Sequence, residues 1–230
     1  MTAVIAAAGS GERLGAGGPK AFVPLAGRPM IAWSLDACLG CDAVAGVVVA
    51  VPVGYEHGLD ALEGVETVPG GSTRAESVAA ALAAVATEYV AIHDAARPLL
   101  TPELLDDLIA ALVADPEADA IIAAAPVTDT VKKVRGILRL PETRNVPRVV
   151  DSTLDRSELW AAQTPQVFRL AALLAALEVD PGVRDAATDE AMLVEAAGGT
   201  VFLHDPGAPN LKVTTPVDLR VAEFLLAERG

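Results

Sequence analysis

Short apolar runs alternate with helix-patterned stretches along most of this chain, and that order restricts it to an α/β architecture. Ala3 to Ala8 is continuously apolar, the pattern of a strand covered on both faces. After Pro29, the residues Met30, Ile31, Trp33, Ser34, Ala37 and Cys38 follow helical spacing, and Ala45 to Val51 reads as a second buried strand. The order continues with a short strand at Glu66 to Val68, a helix over Thr73 to Ala86 and a strand at Tyr89 to His93. Pro102 to Ala114 reads as a helix with Thr101 as its cap and Pro102 at its first position, and Ala118 to Ala125 as another central strand. Helices from Leu170 to about Val179 and from Thr188 to Ala197, a strand at Thr200 to His204 and a final helix from Pro216 to Glu228 complete the pattern. The prediction is one three-layer, Rossmann-like domain over residues 1–230, with a mainly parallel twisted sheet and ligands at the carboxyl ends of its strands.

Residues Thr128 to Val150 break the rhythm. Val131-Lys132-Lys133-Val134 and Ile137-Leu138-Arg139-Leu140 are short alternating pieces separated by Arg135-Gly136, with no helix between them. They read as a projecting β-arm. A hairpin this small buries too little to stand alone, so it needs a second surface, most simply the same arm of a second subunit.

The 31 acidic residues outnumber the 17 basic ones, a formal net charge of -14, which argues against a general nucleic-acid or anionic-membrane binder. An anionic substrate must therefore be held by locally concentrated cations. The longest apolar stretch, Val44 to Val53, is broken by Gly46 and Pro52 and falls short of the roughly 20 residues of a membrane span. The amino terminus enters a strand without a basic leader, so the expected location is the cytoplasm. Cys38 and Cys41 form a C-x-x-C at a helix end, where the dipole disfavours a thiolate, and they read as buried, idle thiols.

The strongest local signal is Ala6-Ala7-Ala8-Gly9-Ser10-Gly11-Glu12-Arg13-Leu14-Gly15 followed by Pro19-Lys20. A strand that runs into Gly9 and Gly11 lets backbone N–H groups surround a phosphate, because no Cβ blocks the approach. Arg13 and Lys20 bring cations to the same loop. It is not a P-loop, since Lys20 precedes Ala21 rather than a hydroxyl residue. A dinucleotide fingerprint is excluded too, because Leu14 takes the place of the third glycine and Asp36 lies inside a helix.

The loop resembles that of nucleotidyltransferases, in which an acceptor attacks a nucleoside triphosphate; alone it leaves sugar-nucleotide and molybdopterin enzymes open. Further motifs follow in order: Gly70-Gly71-Ser72-Thr73-Arg74-Ala75-Glu76-Ser77-Val78, His93-Asp94-Ala95-Ala96-Arg97-Pro98, Asp155-Arg156-Ser157-Glu158-Leu159-Trp160, Gln163-Thr164-Pro165-Gln166, Thr188-Asp189-Glu190 and Asn210-Leu211-Lys212-Val213-Thr214. Together they resemble the methylerythritol phosphate cytidylyltransferase family over nearly the whole chain.

That resemblance implies a reaction in which the acceptor phosphate attacks the α-phosphorus of CTP and pyrophosphate leaves, with magnesium on the triphosphate. It implies that Arg13 and Lys20 contact the CTP phosphates and that Lys20 and Lys212 stabilise the transition state. Ala7, Ala8, Gly9, Gly11, Gly71, Ser77 and Ala95 match positions that hold the nucleotide, whereas Ser72 stands where some members carry an acid that touches the base. Asp94, Arg97, Thr130, Arg156, Thr164 and Thr188 match acceptor positions, although analogous transferases use an acid near Asp94 for magnesium. His93 reads as a packed neighbour. Thr130 and Arg156 flank the arm, which in the family reaches the neighbouring subunit's site and makes a composite homodimer. Ribitol 5-phosphate, another linear polyol phosphate, remains the alternative acceptor, and a nucleotide-binding protein without turnover is the alternative class. Keeping Arg13, Lys20 and Lys212 together argues against the latter.

Overall fold

The computed structural model describes residues 1–9, 11, 14, 18–56, 58–137 and 148–229. Strand β1 (Thr2–Ala6) leads through the glycine loop to a 3-10 turn at Lys20–Phe22 and a small ladder of β2 (Pro24–Leu25) with β3 (Arg28–Pro29). Then come α1 (Met30–Leu39), β4 (Gly46–Val51), β5 (Val65–Pro69), α2 (Arg74–Leu82), β6 (Tyr89–Asp94), α3 (Pro102–Ala114) and β7 (Ala120–Pro126). The chain continues with β8 (Lys132–Ile137), β9 (Arg148–Thr153), β10 (Trp160–Arg169), α4 (Leu170–Ala176), α5 (Pro181–Ala186), α6 (Glu190–Ala196), β11 (Val201–His204) and α7 (Pro216–Ala227).

The main sheet has the order β11-β7-β10-β6-β1-β4-β5, and each neighbouring pair is parallel except the two that involve β10. From β1 the chain builds β4 and β5 on one side and then crosses to β6 on the other. That reversal opens a crevice beyond the carboxyl ends of β1 and β6, where Ala6 lies opposite Asp94.

Alternation along the strands sorts the core into two faces. Ala3, Ile5, Val47, Val49, Ala91 and Ile121 pack with Leu35 of α1 and Leu105 and Leu108 of α3. Val4, Val48, Ala50, Val90, Ile92 and Phe168 pack with Val78 of α2, Leu173 of α4 and Leu193 of α6. A third cluster joins Leu14, Leu25, Met30 and Leu99 to Val213 and to Ala222 and Leu226 of α7, so the glycine loop and the carboxyl-terminal loop share one apolar anchor.

Four features depart from the sequence reading. β10 went unread as a strand; it lies antiparallel between β6 and β7, with Pro165 at an irregularity between Ala162 and Gln166. The arm does not turn at Arg135-Gly136: β8 runs through both residues and pairs with β9, while residues 138–147 lie outside the described ones. Non-local pairing extends β8 where a two-residue polar break suggested a turn. The helix expected over Thr73 to Ala86 ends at Leu82, and α5 was not foreseen.

Candidate functional site

Beyond the carboxyl ends of β1, β5 and β6 lies a cleft of about 660 Å³. Its first wall is the glycine loop. Gly11 adopts φ +75°, and a Cβ there would stand 2.9 Å from both the Gly18 carbonyl oxygen and the Lys20 nitrogen, so only glycine lets the loop close. The Lys20 N–H donates to the Gly9 carbonyl at 3.1 Å, which brings the lysine back to the strand end.

The second wall is the loop between β5 and α2. A Cβ on Gly70 would lie 2.4 Å from Ala8 Cβ, so the two loops touch with no room for a side chain. Thr73 caps α2, and Glu76 returns the contact through a capping box. The Glu76 carboxylate also accepts from the Ser72 hydroxyl at 2.6 Å and the Ser72 N–H at 2.7 Å, and these contacts hold it below the usual carboxylate range. Ser77 donates to the Thr73 carbonyl at 2.8 Å and accepts from the Gly71 N–H at 3.1 Å. Its proton is thereby committed to shaping the loop, and a ligand meets its oxygen as an acceptor.

The floor is ionic. Asp94 ends β6 and is 7% exposed. Arg74 Nε donates to its Oδ1 at 2.9 Å and Lys212 Nζ to its Oδ2 at 2.6 Å. Burial alone would raise the Asp94 carboxyl, but the two adjacent cations outweigh it and hold it well below the carboxylate range. Arg74 Nη1 also reaches both oxygens of the buried Glu190 at 2.7 Å. Among the described lining residues, Lys20, Arg74 and Lys212 are cationic and Asp94 is anionic, so the cleft gathers positive charge within a strongly acidic chain.

A buried hydrogen-bond chain brings Lys212 to this floor. Arg97 Nη1 donates to the Asn210 carbonyl at 2.7 Å, the Asn210 side-chain amide donates to the Thr164 carbonyl at 2.8 Å, and the Val213 N–H donates to the Ala96 carbonyl at 2.8 Å. His93 is fully buried, with Nε2 3.1 Å from the Arg97 carbonyl and Nδ1 3.2 Å from the Thr164 hydroxyl. A carbonyl can only accept, so Nε2 carries the proton, and the Thr164 hydroxyl donates to Nδ1. Thr164 then accepts from the Asp94 N–H at 3.0 Å. Burial pushes His93 down to about 4, so the imidazole is neutral.

Ten residues singled out in the sequence line this one cleft: Ala7, Ala8, Gly9, Gly11, Lys20, Gly71, Ser77, Asp94, Ala95 and Lys212. Arg97 and Thr164 sit behind it in the hydrogen-bond chain, and the Arg97 Nε has no partner among the described residues. Thr188 is exposed just before α6. Thr130 and Arg156 are exposed at the base of the β8–β9 ladder, where Arg156 donates to the Thr128 carbonyl. Arg13 lies outside the described residues. Arg74 and Glu190 were quoted within motifs without a role. The signal for Arg74 was its place after Gly-Gly-Ser-Thr at a helix start, but its partners come from β6 and α6, which no local pattern connects. Cys38 and Cys41 are free and buried away from the cleft, with burial pushing their thiols up to about 12 and about 11.

A family model described as 2-C-methyl-D-erythritol 4-phosphate cytidylyltransferase matches residues 1–228. The enzyme of that name from Parasynechococcus marenigrum is 44% identical over 236 residues, covering 100% of this chain and 99% of its own. A crystal structure of the enzyme of that name from Thermus thermophilus superposes with TM-score 0.77 at 32% identity, covering 98% of each chain. The 4-diphosphocytidyl-2C-methyl-D-erythritol synthase of Anaerococcus prevotii gives TM-score 0.80 at 27% identity, over 98% of this chain and 97% of the other.

Proposed function

This chain belongs to the 2-C-methyl-D-erythritol 4-phosphate cytidylyltransferase family, and from that premise we propose how its cleft joins CTP to methylerythritol phosphate and releases pyrophosphate. The observation that carries the reading is the meeting of Lys20 and Lys212, from opposite ends of the chain, in one cleft beside the glycine loop. Family and relatives support methylerythritol phosphate over ribitol 5-phosphate as acceptor.

An oxygen of the acceptor phosphate forms a bond to the α-phosphorus as the bond to the departing pyrophosphate breaks. The nucleophile is already an anion, so no general base is needed. The protein's task is to align two mutually repelling anions and to place cations where charge develops. The backbone of Ala7, Ala8, Gly9, Gly71 and Ala95, with Ser77 as acceptor, holds cytidine; Gly11, Lys20 and Arg13 take the phosphates. Lys212, 42% exposed at its side chain, faces the α-phosphate from its ion pair with Asp94.

Magnesium requires few protein ligands when phosphates supply the rest. Each Asp94 oxygen keeps a lone pair beyond its ion pair, so the residue fits either an acceptor hydroxyl or a share of that cation. Bound magnesium would neutralise the triphosphate and the departing pyrophosphate.

The acceptor meets Asp94, with Arg97, Thr164 and Thr188 nearby. Thr130 and Arg156, which flank the arm, come from a second subunit. Support for this composite dimer is the isolated two-stranded ladder, whose Val134, Val149 and Val150 are exposed in the single chain. No helix among the described residues is long and apolar enough to cross a membrane, and the enzyme is proposed to work in the cytoplasm.

The test is pyrophosphate release from CTP with each acceptor, compared by kcat/KM. Methylerythritol phosphate is expected to be preferred; a preference for ribitol 5-phosphate would sink the acceptor assignment.

A further inference from the structure

One buried carboxylate has no part in the chemistry above. Glu190 opens α6, is 3% exposed and does not line the cleft, yet both its oxygens accept from Arg74 Nη1 at 2.7 Å. The same guanidinium donates through Nε to Asp94 Oδ1, which leaves Oδ2 for Lys212. We propose that Glu190 is a positioning residue for the transfer step, acting through Arg74 and Asp94 to fix where the Lys212 ammonium stands.

The geometry is specific to these side chains. A carboxylate paired only with a flexible lysine follows that lysine, because Asp94 can turn about its own torsions. A planar guanidinium fixed on one oxygen removes that freedom, and Arg74 is itself fixed only because Glu190 holds its other side. A lysine at position 74 would offer one nitrogen where Arg74 uses two, Nε for Asp94 and Nη1 for Glu190. The four groups carry two positive and two negative charges, so they balance inside the fold, and the exposed end of the chain is Lys212, at 42% against 5% for the Glu190 side chain. Stability alone is a weak reason for such a cluster, since buried ionic groups seldom outperform apolar ones of similar volume.

The inference rests on the assignment of Lys212 to the transfer step, so the experiment separates the two. Steady-state pyrophosphate release is measured for Glu190→Gln and Lys212→Ala alone and combined, with CTP affinity by calorimetry and folding by thermal melting. Glu190→Gln is expected to lower kcat by about 10-fold with CTP affinity within about twofold, and to lower kcat by less than about twofold when Lys212 is already alanine. Equal loss in both backgrounds, or a loss in CTP affinity alone, would overturn the positioning role. A Lys212→Ala enzyme with the original kcat would overturn the assignment of Lys212 itself. Should Glu190→Gln not fold, Arg74→Lys, which keeps the buried charge, serves in the same cycle with the same expected and overturning results.

Discussion

The cleft and the β8–β9 arm both carry charged and apolar residues implicated in binding, but they meet their bonding requirements in opposite ways. In the cleft, Asp94, Arg74, Glu190, His93 and Thr164 are closed into hydrogen-bonded chains within one subunit. In the arm, every side chain from Arg148 to Thr153 is exposed in the single chain. The cleft is preorganised by its own fold, whereas the arm leaves its side chains to solvent in the single chain and would gain a partner surface only in the composite dimer proposed above.

The sharpest way to break this contrast is to remove a cation from the closed region. Lys20→Ala is expected to lower kcat by about 10²- to 10³-fold, the scale for losing one preorganised charge stabiliser. Its melting temperature should stay near the original, and near-normal turnover would remove Lys20 from its role.

Acid should loosen the cleft before the arm. The His93 pKa in the folded chain, about 4, is depressed from the ordinary 6.5, so its contribution is fully present above 6.5 and is lost as pH falls toward 4. The loss approaches about 3 kcal/mol over that window. Asp94 is also depressed, so its contribution is lost only below the ordinary carboxylate range. Denaturant titrations across pH should show the upper step, and His93→Gln should flatten it.

Gly70→Ala tests how tightly the two loops meet. A new Cβ 2.4 Å from Ala8 Cβ forces one loop to move, at about 1 to 3 kcal/mol. CTP affinity and melting temperature should fall together; an unchanged CTP affinity would mean that the contact does not shape the nucleotide site.

In the arm, Val150→Asp should leave CTP affinity within about twofold while raising the acceptor KM about fivefold to tenfold, as interface disruption on the scale of about 1 to 1.4 kcal/mol implies. Sedimentation should show a shift toward monomer. A monomer with an unchanged acceptor KM would dissolve the composite site.

What the sequence disclosed follows the same division. α3 was legible to the residue because Thr101 and Pro102 mark its start and its apolar spacing persists to Ala114. The glycine loop was legible because strand, glycines and lysine are local. β10 was hidden: Pro165 interrupts its run, and although a proline cannot donate to a ladder, the fold accommodates it with an irregularity at that point. The roles of Arg74 and Glu190 were hidden because a buried ion pair between distant elements leaves no periodic trace. The pairing of β8 with β9 was hidden for a similar reason, since the partner strand begins beyond residues 138–147.

The placement of β10 has a consequence for biosynthesis. A ribosome releases β6 and β7 well before the strand that separates them, so a nascent chain exposes two unpaired edges flanking a vacant lane in its sheet. Closing that lane also delivers Thr164 to His93 and Asp94, so the polar floor of the cleft is set only once the chain has been made through Arg169. Catalytic competence waits longer still, because β11 and the Lys212 loop follow β10 along the chain.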